Sequence, residues 1–350
     1  MSKKLFIHAT NVHQGGGLKL LTAIIKNLPG GVRLFLSLDD RLPLTNIIPE
    51  DACVKRVRPS ILNRLLAEIS LAKNALSNDV VFCFGNLPPL FKLRSRVVVY
   101  VQNRYLIDDV NLEGFLFKIK LRLMTERIWF YCLASHVDEF IVQTPSMKSI
   151  LDARIKKTIP VSVIPFVSDL SGYNRKTKVS KKSKDKFFDF LYVASGEPHK
   201  NHRKLIDAWC LLADEGLYPS LKLTLDNDNF KDLCNWIIKR SRDYQLNIEN
   251  KGILTPAQLK FVYKKASALI YPSKIESLGM PLIEARQAGL PVLASELDYV
   301  RDVIDPEQSF DPESAISIAR AVKRFIGEAE APLPLKNVAG LMRHLLDKST

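Results

Sequence analysis

Short apolar runs alternate with longer helical patterns along most of the chain, and this alternation restricts the folds that it can adopt. Two parallel strands need a crossover connection between them, and that connection is usually a helix. The pattern therefore predicts an α/β protein with doubly wound parallel sheets. It runs to about residue 165, is interrupted by a basic segment, and restarts at Phe188. We expect two Rossmann-like domains of similar design.

The interruption sets the predicted domain boundaries in this chain of 350 residues. Residues 1–170 are assigned to the first domain, 171–188 to a basic linker and 189–328 to the second domain. Residues 329–350 carry an amphipathic pattern and are expected to form a C-terminal helix that packs back on the first domain. Each domain is large enough to bury a hydrophobic core of its own.

The formal net charge of the chain is +14, and its distribution bears on possible partners. Between Tyr173 and Phe188, seven lysines and arginines and one aspartate contribute +6 of that total. A run of this kind without an aromatic platform is typical of a solvated tether. Contact with an anionic membrane surface is the second interpretation. Nucleic acid ranks third and is not among the predicted partners.

The cysteines and the apolar runs limit the expected cellular setting. The five cysteines form no C-x-x-C pair, so the sequence supports neither a disulfide framework nor a thiolate zinc site. The first residues resemble a strand more than a signal peptide, and no run of 18 apolar residues occurs. We expect a cytoplasmic protein that lies peripherally on the inner face of the cell membrane.

The richest group of chemical signals lies between residues 271 and 295. A buried strand is expected to end near Pro272, and Pro281 suits the first position of the helix that follows. Glu276 precedes that helix, and Glu284 is expected in its first turn. Free backbone N–H groups at such a helix start form an anion site. A glutamate in a first turn can also serve only to complement the helix dipole.

Taken together, Glu276, Gly279, Pro281 and Glu284 resemble the E-x7-E signature of the retaining glycosyltransferases of family 4, the glycosyl transferases group 1. Bacterial O-antigen and surface-polysaccharide glycosyltransferases belong to that family. The resemblance implies the GT-B fold, in which two Rossmann-like domains face each other across a cleft. It implies that the first domain binds the acceptor and the second binds the nucleotide sugar. It covers most of the chain and is strongest over residues 188–300.

The resemblance also assigns roles to individual residues. Glu276 is expected to contact the hydroxyls of the donor sugar, Glu284 both ribose hydroxyls, and Lys200 the leaving diphosphate; Glu276 and Lys200 are the predicted catalytic residues. The other predicted donor-binding residues offer exposed backbone: the amides of Ser277, Leu278 and Gly279, the glycine-rich loop with Gly16 and Gly17 near the phosphates, and the loop of Gly252, Ile253 and Leu254 around the base.

The chain departs from the family pattern in two places. The family usually has an arginine five or six residues before the lysine, where this chain has Ser195 and Ala194. Possible replacements for that positive charge are Arg203, His199 and His202. The family also commonly has a histidine after a central strand of the first domain, where this chain has Gln102 and Asn103. Their amides can position an acceptor but cannot act as a general base.

No essential metal or other cofactor is predicted. The motif Asp226-Asn-Asp228 imitates the metal-binding D-x-D of the other major glycosyltransferase fold, but it follows a strand among asparagines and is better explained as a turn. A GT-B site needs no metal, because helix N-termini and lysine neutralise the diphosphate. His13 and His136 have no partner in the sequence and are interpreted as structural.

Two stretches, 55–73 and 115–131, mix basic side chains with many apolar ones. Such segments can lie in a membrane interface, and they can equally be core helices whose cations reach the solvent.

The predicted function is retaining transfer of a hexose from a nucleoside-diphosphate sugar to a glycan acceptor. By resemblance, that acceptor is linked to undecaprenyl diphosphate in the assembly of a bacterial O-antigen or similar polysaccharide. A catalytically silent, membrane-associated GT-B subunit remains a second hypothesis, since the arginine and the histidine are missing. A sugar-nucleotide epimerase of the same fold is a third.

Overall fold

The computed structural model of the chain describes residues 4–329, except residues 14, 29–30, 43–46, 111, 113–114, 156–157, 168–172, 174 and 176–186. Most of the predicted linker at 171–188 and nearly all of the predicted C-terminal helix at 329–350 therefore lie outside the described residues.

The first domain contains seven parallel strands in the order β3-β2-β1-β4-β5-β6-β7. They are β1 (Lys4–Ala9), β2 (Arg33–Asp39), β3 (Cys53–Val57), β4 (Val80–Cys83), β5 (Arg96–Val101), β6 (Glu139–Val142) and β7 (Val161–Val163). The described helices of this domain are α1 (Gly15–Lys26), α2 (Ile61–Asn74), α3 (Phe117–Cys132) and α4 (Pro145–Arg154). Strand β5 carries five consecutive buried residues, and since neighbouring residues point to opposite faces, both faces of the sheet are covered there, as in other parallel sheets.

The second domain contains six parallel strands in the order β10-β9-β8-β11-β12-β13. They are β8 (Phe188–Tyr192), β9 (Leu221–Leu223), β10 (Ile248–Asn250), β11 (Ala266–Tyr271), β12 (Val292–Ser295) and β13 (Gln308–Phe310). Its described helices are α5 (His202–Asp214), α6 (Lys231–Asp243), α7 (Pro256–Lys265), α8 (Met280–Gln287), α9 (Asp298–Val303) and α10 (Ala315–Ile326). This strand order reverses direction between β8 and β11, which places a crevice at their carboxyl ends.

Both sheets confirm the predicted α/β class with two doubly wound parallel domains. The short strand β3 was not predicted, and its residues were assigned to a basic, helix-like stretch. It pairs with β2 on one side only, and its first three residues are exposed. An exposed edge strand carries no continuous apolar run, so its pattern is weak. Strand β13 and helix α9 are also too short to give a period.

The segment around α8 follows the predicted strand–turn–helix–strand order, but the helix begins one residue earlier than predicted. The helix is capped by Gly279, whose φ of 71° is left-handed, so α8 begins at Met280 and Pro281 takes its second position. The sequence analysis predicted Glu284 in the first turn of α8, but it lies at the start of the second. The helix ends in a Schellman motif, in which Gly289 and Leu290 donate to the carbonyls of Arg286 and Ala285.

The two domains touch at the rim of the cleft between them. The Asp302 carboxylate of α9 accepts a hydrogen bond from the Ser146 amide at the start of α4, at 3.1 Å. Across the described residues, no helix has both the length and the apolar character that crossing a bilayer requires.

Candidate active site

A cleft of about 430 Å³ lies between the domains, and both contribute its lining. The first-domain residues of the lining follow the carboxyl ends of β1, β4 and β5 or lie on helices beside them, and they are Asn11, Val12, His13, Gly17, Asn86, Gln102, Asn103, Arg104, Tyr105 and Arg122. The second-domain residues follow β8 and β11, and they are His199, Ile275, Glu276 and Ser277. Ligands of parallel α/β sheets bind at this edge.

The Glu276 carboxylate is fixed by three donors on one of its oxygens. Its Oε1 accepts hydrogen bonds from Lys200 Nζ at 2.6 Å, the Tyr271 hydroxyl at 2.7 Å and the Ser273 hydroxyl at 2.7 Å. The second oxygen, Oε2, has no hydrogen-bond partner among the described residues. One oxygen thus positions the side chain, and the other is available to a ligand in the cleft.

Burial and charge act in opposite directions on the Glu276 carboxyl. Burial raises its pKa, but the Lys200 ammonium and the hydroxyl groups of Tyr271 and Ser273 outweigh it and hold the pKa below its ordinary value. The side chains of Lys200 and Glu276 are only 15% and 13% exposed, so water screens the pair weakly. Glu276 is therefore a carboxylate at neutral pH, and the predicted pair of catalytic residues is in direct contact.

The loop that carries Lys200 is held at both of its ends. The Tyr192 hydroxyl donates to the Lys200 carbonyl at 2.5 Å, and Asn201 adopts a left-handed conformation with a φ of 63°. The buried Asn201 amide donates to the carbonyls of Pro272 and Pro312. Because these bonds join the loop after β8 to the segment after β11, Lys200 and Glu276 are positioned by the same framework.

The turn between Glu276 and α8 offers free amides, as the sequence predicts. The backbone N–H groups of Ser277, Leu278 and Gly279 donate to no other described residue. The Leu278 side chain is buried, so its amide is held in place by packing. A Cβ on Gly279 would come within 2.9 Å of Leu282, which is why the turn requires glycine.

Glu284 contacts both domains. Its Oε1 accepts a hydrogen bond from Lys19 Nζ of α1 at 2.9 Å, and its Oε2 accepts one from the Tyr263 hydroxyl of α7 at 3.0 Å. The Lys19 side chain is 46% exposed and that of Glu284 is 19% exposed. Neither Lys19 nor Tyr263 was predicted from the sequence.

The predicted glycine-rich loop is part of a helix. α1 begins at Gly15, so Gly16 and Gly17 form its first turn. Gly17 lines the cleft, and a Cβ there would lie 3.3 Å from Val12 and 3.6 Å from Gln102. Gly16 has open space around it. The close approach at Gly17 leaves no room for a larger side chain without movement of its neighbours.

Gln102 and Asn103 lie in the cleft, and Asn86 holds their backbone. Asn86 has a left-handed φ of 72°, and its Oδ1 accepts hydrogen bonds from the amides of Gln102 and Asn103 at 2.5 and 2.9 Å. The Asn103 side chain accepts from the Tyr105 amide and so caps the short helix at 104–106. A polar residue after a strand end was the only sequence signal for Asn86.

The loop of Gly252, Ile253 and Leu254 follows β10 at the same edge of the sheet but does not line the cleft. Ile253 is 75% exposed. Leu254 lines a separate, largely apolar groove of about 530 Å³ together with Phe261 and Val262 of α7. A role for this loop at the base stays a prediction.

The three suggested replacements for the missing arginine are poorly suited to it. Burial, assisted by the nearby Lys200 charge, lowers the pKa of His199 to about 4. The same causes lower the pKa of His202, which is fully buried, to about 3. Both imidazoles are therefore neutral at pH 7. The Arg203 guanidinium lies over the Trp236 ring, 4.7 Å from its centroid, and does not line the cleft.

Two further predictions concern polar motifs. The Asp226 carboxylate accepts hydrogen bonds from the amides of Asp228 and Asn229, which is the turn that the sequence predicts. Within the described part of the chain, no three histidine, cysteine or acidic side chains are grouped to hold a metal ion. His136 contacts the Pro89 carbonyl, consistent with a structural role, whereas His13 lines the cleft.

Comparisons with known proteins find that the sequence is similar to those of glycosyltransferases. Residues 174–339 match the family model described as glycosyl transferases group 1. The chain is similar to the O-antigen chain mannosyltransferase B of Escherichia coli, with 28% identity over 130 residues that make up 37% of this chain and 34% of the relative. It is also similar to the O-antigen chain mannosyltransferase RfbU of Salmonella typhimurium, with 26% identity over 195 residues, 49% of this chain and 50% of the relative. The chain thus matches half or less of the length of these curated relatives.

The fold is similar to that of solved glycosyltransferase structures over nearly its whole length. The crystal structure of Anabaena Alr3699/HepE in complex with UDP and glucose has a TM-score of 0.64 at 14% identity, covering 93% of this chain and 90% of that one. The apo form of the lipopolysaccharide outer core galactosyltransferase WaaB has a TM-score of 0.60 at 19% identity, covering 94% and 91%. These findings confirm the predicted resemblance: residues 174–339, just under half of the chain, match the glycosyl transferases group 1, and the chain has the GT-B fold.

Proposed function

We propose that this chain is a retaining glycosyltransferase that moves a hexose from a nucleoside-diphosphate sugar to a glycan acceptor. The observation that carries the proposal is the Glu276–Lys200 pair in the cleft, with Glu276 Oε2 and the amides of residues 277–279 left free beside it. The names of the mannosyltransferase relatives support a hexose, and the UDP complexes among the similar structures support a nucleotide-sugar donor.

On the donor side, each group has a distinct task. Glu276 Oε2 accepts hydrogen bonds from the hydroxyls of the transferred sugar. Lys200 and the amides of Ser277, Leu278 and Gly279 bind the diphosphate and stabilise the charge that develops as it leaves. Glu284 accepts both ribose hydroxyls, in exchange for the hydrogen bond that Lys19 donates to it. Gly16 and Gly17 let the backbone of α1 approach the phosphates.

The reaction needs no enzymic base in this scheme. The bond between the anomeric carbon and the diphosphate oxygen breaks while the acceptor oxygen approaches the same face of the sugar. The acceptor proton passes to the leaving diphosphate oxygen, which serves as the base, and the new glycosidic bond keeps the anomeric configuration. Gln102 and Asn103 orient the acceptor through hydrogen bonds, since an amide cannot remove a proton. No metal or other cofactor takes part.

The first domain carries an outer face suited to a lipid-linked acceptor. Helices α2 and α3 both contact the loop that follows β4: Glu68 of α2 accepts a hydrogen bond from the Leu90 amide, and Trp129 of α3 donates one to the Pro88 carbonyl, each at 2.9 Å. The α2–α3 face, defined by its exposed apolar residues, consists of Ile61, Leu62, Leu65, Leu66, Leu116, Phe117, Leu121, Met124 and Ile128. Lys118 and Lys120 lie among them in the sequence of α3.

An apolar face with interspersed cations fits the interface of an anionic membrane. The acceptor that such a surface supplies is a glycan on a lipid diphosphate, and undecaprenyl diphosphate is the proposed carrier. The O-antigen names of the relatives support that class of glycan. The protein then works peripherally on the inner face of the cell membrane.

The test is turnover by the purified chain with a panel of UDP-, GDP- and ADP-hexoses, a diphosphate-linked glycan and EDTA. The proposal expects transfer with one donor, retained anomeric configuration by NMR, and no loss of rate in EDTA. Formation of an epimeric sugar nucleotide would identify an epimerase instead. Donor binding without turnover, with every acceptor offered, would identify a silent partner subunit.

A further inference from the structure

The second domain offers a diphosphate less positive charge than the family pattern provides. Lys200 is already paired with Glu276 at 2.6 Å. His199 is held neutral, with a pKa lowered to about 4 by burial and by Lys200, and Arg203 lies over Trp236 away from the cleft. Ser195 and Ala194 stand at the two positions where the family usually has an arginine. Lys200 and the amides of residues 277–279 thus leave part of the charge of a diphosphate to be balanced from the opposite wall.

Lys19 is the first cation on the first-domain side; it does not line the cleft itself but reaches Glu284 of the second domain. It lies on α1, one turn after Gly15, and its ammonium bonds Glu284 across the domain boundary at 2.9 Å. Its side chain is 46% exposed, so it can leave that partner without losing much packing. A ribose that takes both oxygens of Glu284 would release Lys19 beside the glycine-containing first turn of α1, where the phosphates are expected.

Arg104 is the second first-domain cation, and side-chain hydrogen bonds hold the turn that carries it. Its Nε donates to the Asp108 carboxylate at 2.8 Å, and its other N–H groups bond no described residue. Arg127 donates to the carbonyls of Tyr105 and Asp108 at 2.7 and 2.8 Å and so fixes the turn. The Asn103 side chain caps the same turn. A guanidinium held by one edge has several donors left for a phosphate.

Arg104 also faces the second domain. It lines the cleft together with Glu276 and Ser277. Burial raises the pKa of Tyr299 in the second domain, and the Arg104 charge works against that rise, so its field crosses the cleft. Arg122 lines the cleft as well, but it is 65% exposed and lies near Glu126, so it is the weaker candidate.

We propose that the first domain supplies the counter-charge for a diphosphate in this cleft, through Lys19 at the ribose end and Arg104 at the sugar end. This inference rests on the proposed function. The ligand chemistry is a diphosphate, and both the donor and a diphosphate-linked acceptor carry one. Because the two cations belong to one domain and Lys200 to the other, a bound diphosphate joins the two walls.

The experiment compares a nucleoside diphosphate with its parent nucleoside in calorimetric binding to the full chain. The variants are Lys19→Gln, Arg104→Gln and the double substitution, and the diphosphate is whichever of UDP, GDP and ADP binds the wild type. Lys19→Gln is expected to weaken diphosphate binding on the order of tenfold, the loss of one charge-assisted hydrogen bond, and Arg104→Gln is expected to do the same if Arg104 binds the diphosphate of the donor. Nucleoside binding is expected to stay unchanged in Arg104→Gln and to strengthen in Lys19→Gln, because Glu284 loses its competitor.

Two matched controls remove a cation of the same domain outside the cleft. Lys26→Gln changes the exposed last turn of α1, and Arg154→Gln breaks the surface pair with Asp109. Both are expected to bind nucleoside and diphosphate like the wild type. Arg104→Lys keeps a positive charge and should recover part of the affinity, which a merely unfolded variant cannot do.

Turnover measurements distinguish whether Arg104 binds the diphosphate of the donor or that of the acceptor. If Arg104 binds the diphosphate of the acceptor, Arg104→Gln raises the acceptor KM about tenfold at saturating donor and leaves nucleoside-diphosphate affinity unchanged. If Arg104 binds the diphosphate of the donor, Arg104→Gln weakens nucleoside-diphosphate binding about tenfold and leaves the acceptor KM unchanged. Either result supports the proposed site. Wild-type values for diphosphate, nucleoside and acceptor in all three variants would overturn the inference while the proposed function stands. A wild type that binds no nucleotide at all defeats the proposed function itself.

Discussion

The two walls of the cleft are built in different ways. On the second-domain wall, Lys200 and Glu276 are nearly buried and are fixed by hydroxyls and by hydrogen bonds between loops. On the first-domain wall, Gln102 and Arg104 project from loops and short turns, and Lys19 is half exposed. A pre-organised wall suits groups that must stabilise developing charge, and an adaptable wall suits closure and a variable acceptor. The contrast supports the proposed roles, in which the second domain holds the donor sugar and the first domain adapts to the acceptor and to the diphosphate.

The largest expected effect on turnover comes from changing Glu276 on the second-domain wall, which is called the fixed wall below. Glu276→Gln keeps the shape of the side chain but removes the carboxylate that holds Lys200 and the donor sugar. Turnover is expected to fall on the order of 10²–10³-fold, as when one pre-organised transition-state contact is lost. Steady-state kinetics checks this, with Glu313→Gln, which breaks the exposed pair with Lys274, as the matched control. A variant that turns over like the wild type would remove Glu276 from the mechanism.

Glu284→Gln is the second test, and it probes affinity more than rate. The carboxylate is expected to accept two ribose hydroxyls, and hydrogen bonds to a charged group are worth about 1.5–3 kcal/mol each. Glutamine keeps one carbonyl acceptor, so the variant loses the strength of about one such bond, and nucleoside-diphosphate affinity should fall by between about ten- and a hundredfold while binding of inorganic diphosphate remains. Calorimetry with both ligands distinguishes the two. Equal losses for both would mean that Glu284 does not contact ribose.

The third prediction concerns pH and the packing beneath the fixed wall. His202 is buried with a folded pKa of about 3, caused first by burial and then by the Lys200 charge. The unfolded chain takes up this proton as the pH falls through about 6.5, so the wild type loses stability on acidification. Between pH 7 and pH 5 the loss attributable to one such histidine is about 2 kcal/mol.

His202→Leu removes the titrating group. Urea unfolding at pH 7 and pH 5 should show that the wild type loses about 2 kcal/mol more than the variant on acidification. His199 is present in both proteins and cancels from the comparison. Identical losses would indicate that His202 is protonated in the folded protein.

On the first-domain wall, Asn86→Gly is expected to have a smaller effect on stability and on acceptor binding. Glycine keeps the left-handed conformation at φ 72° but removes the acceptor for the amides of Gln102 and Asn103. A net cost of about 1 kcal/mol per hydrogen bond predicts a lower melting temperature and a raised acceptor KM, with unchanged affinity for nucleoside diphosphate. Asn86→Asp retains the oxygen and should restore both. Weaker nucleotide binding in Asn86→Gly would place this loop on the donor side.

The smallest effect on chemistry is expected from the α2–α3 face. Phe117→Glu with Leu121→Glu puts two carboxylates among exposed apolar residues. Turnover with a water-soluble acceptor should change less than about twofold, because surface substitutions away from special features are nearly neutral. Co-flotation with anionic vesicles should be lost, whereas Ile316→Glu, an exposed apolar position on α10, should float normally. Equal flotation of both variants would argue against this face as the membrane contact.

The sequence predicted the second domain better than the first, for physical reasons. The strand, turn and helix from β11 to α8 are marked by Pro272, Gly279 and Gly289, whose backbone restrictions are local and readable. Glu276 and Glu284 were identified because they lie at fixed spacing within that segment. The helix begins at Met280, one residue before the predicted start at Pro281, so Glu284 lies one position further along it than predicted.

The partners of those carboxylates could not be predicted. Tyr263 and Lys19 reach Glu284 from α7 and α1, and tertiary packing alone brings them there. Asn86 and Arg104 come from loops of the first domain whose sequences carry no periodic signal. The neutral state of His199 was equally hidden, because it depends on burial by the other domain, where Tyr105 and Phe115 lie against the ring.

The most direct test of the account is a crystal structure of the full chain with the nucleoside diphosphate that it binds. The account predicts ribose hydroxyls on the Glu284 carboxylate, displacing Lys19, and phosphate oxygens on Lys200 and on the amides of residues 277–279. A nucleotide bound elsewhere, or a diphosphate that contacts neither Lys200 nor those amides, would contradict it.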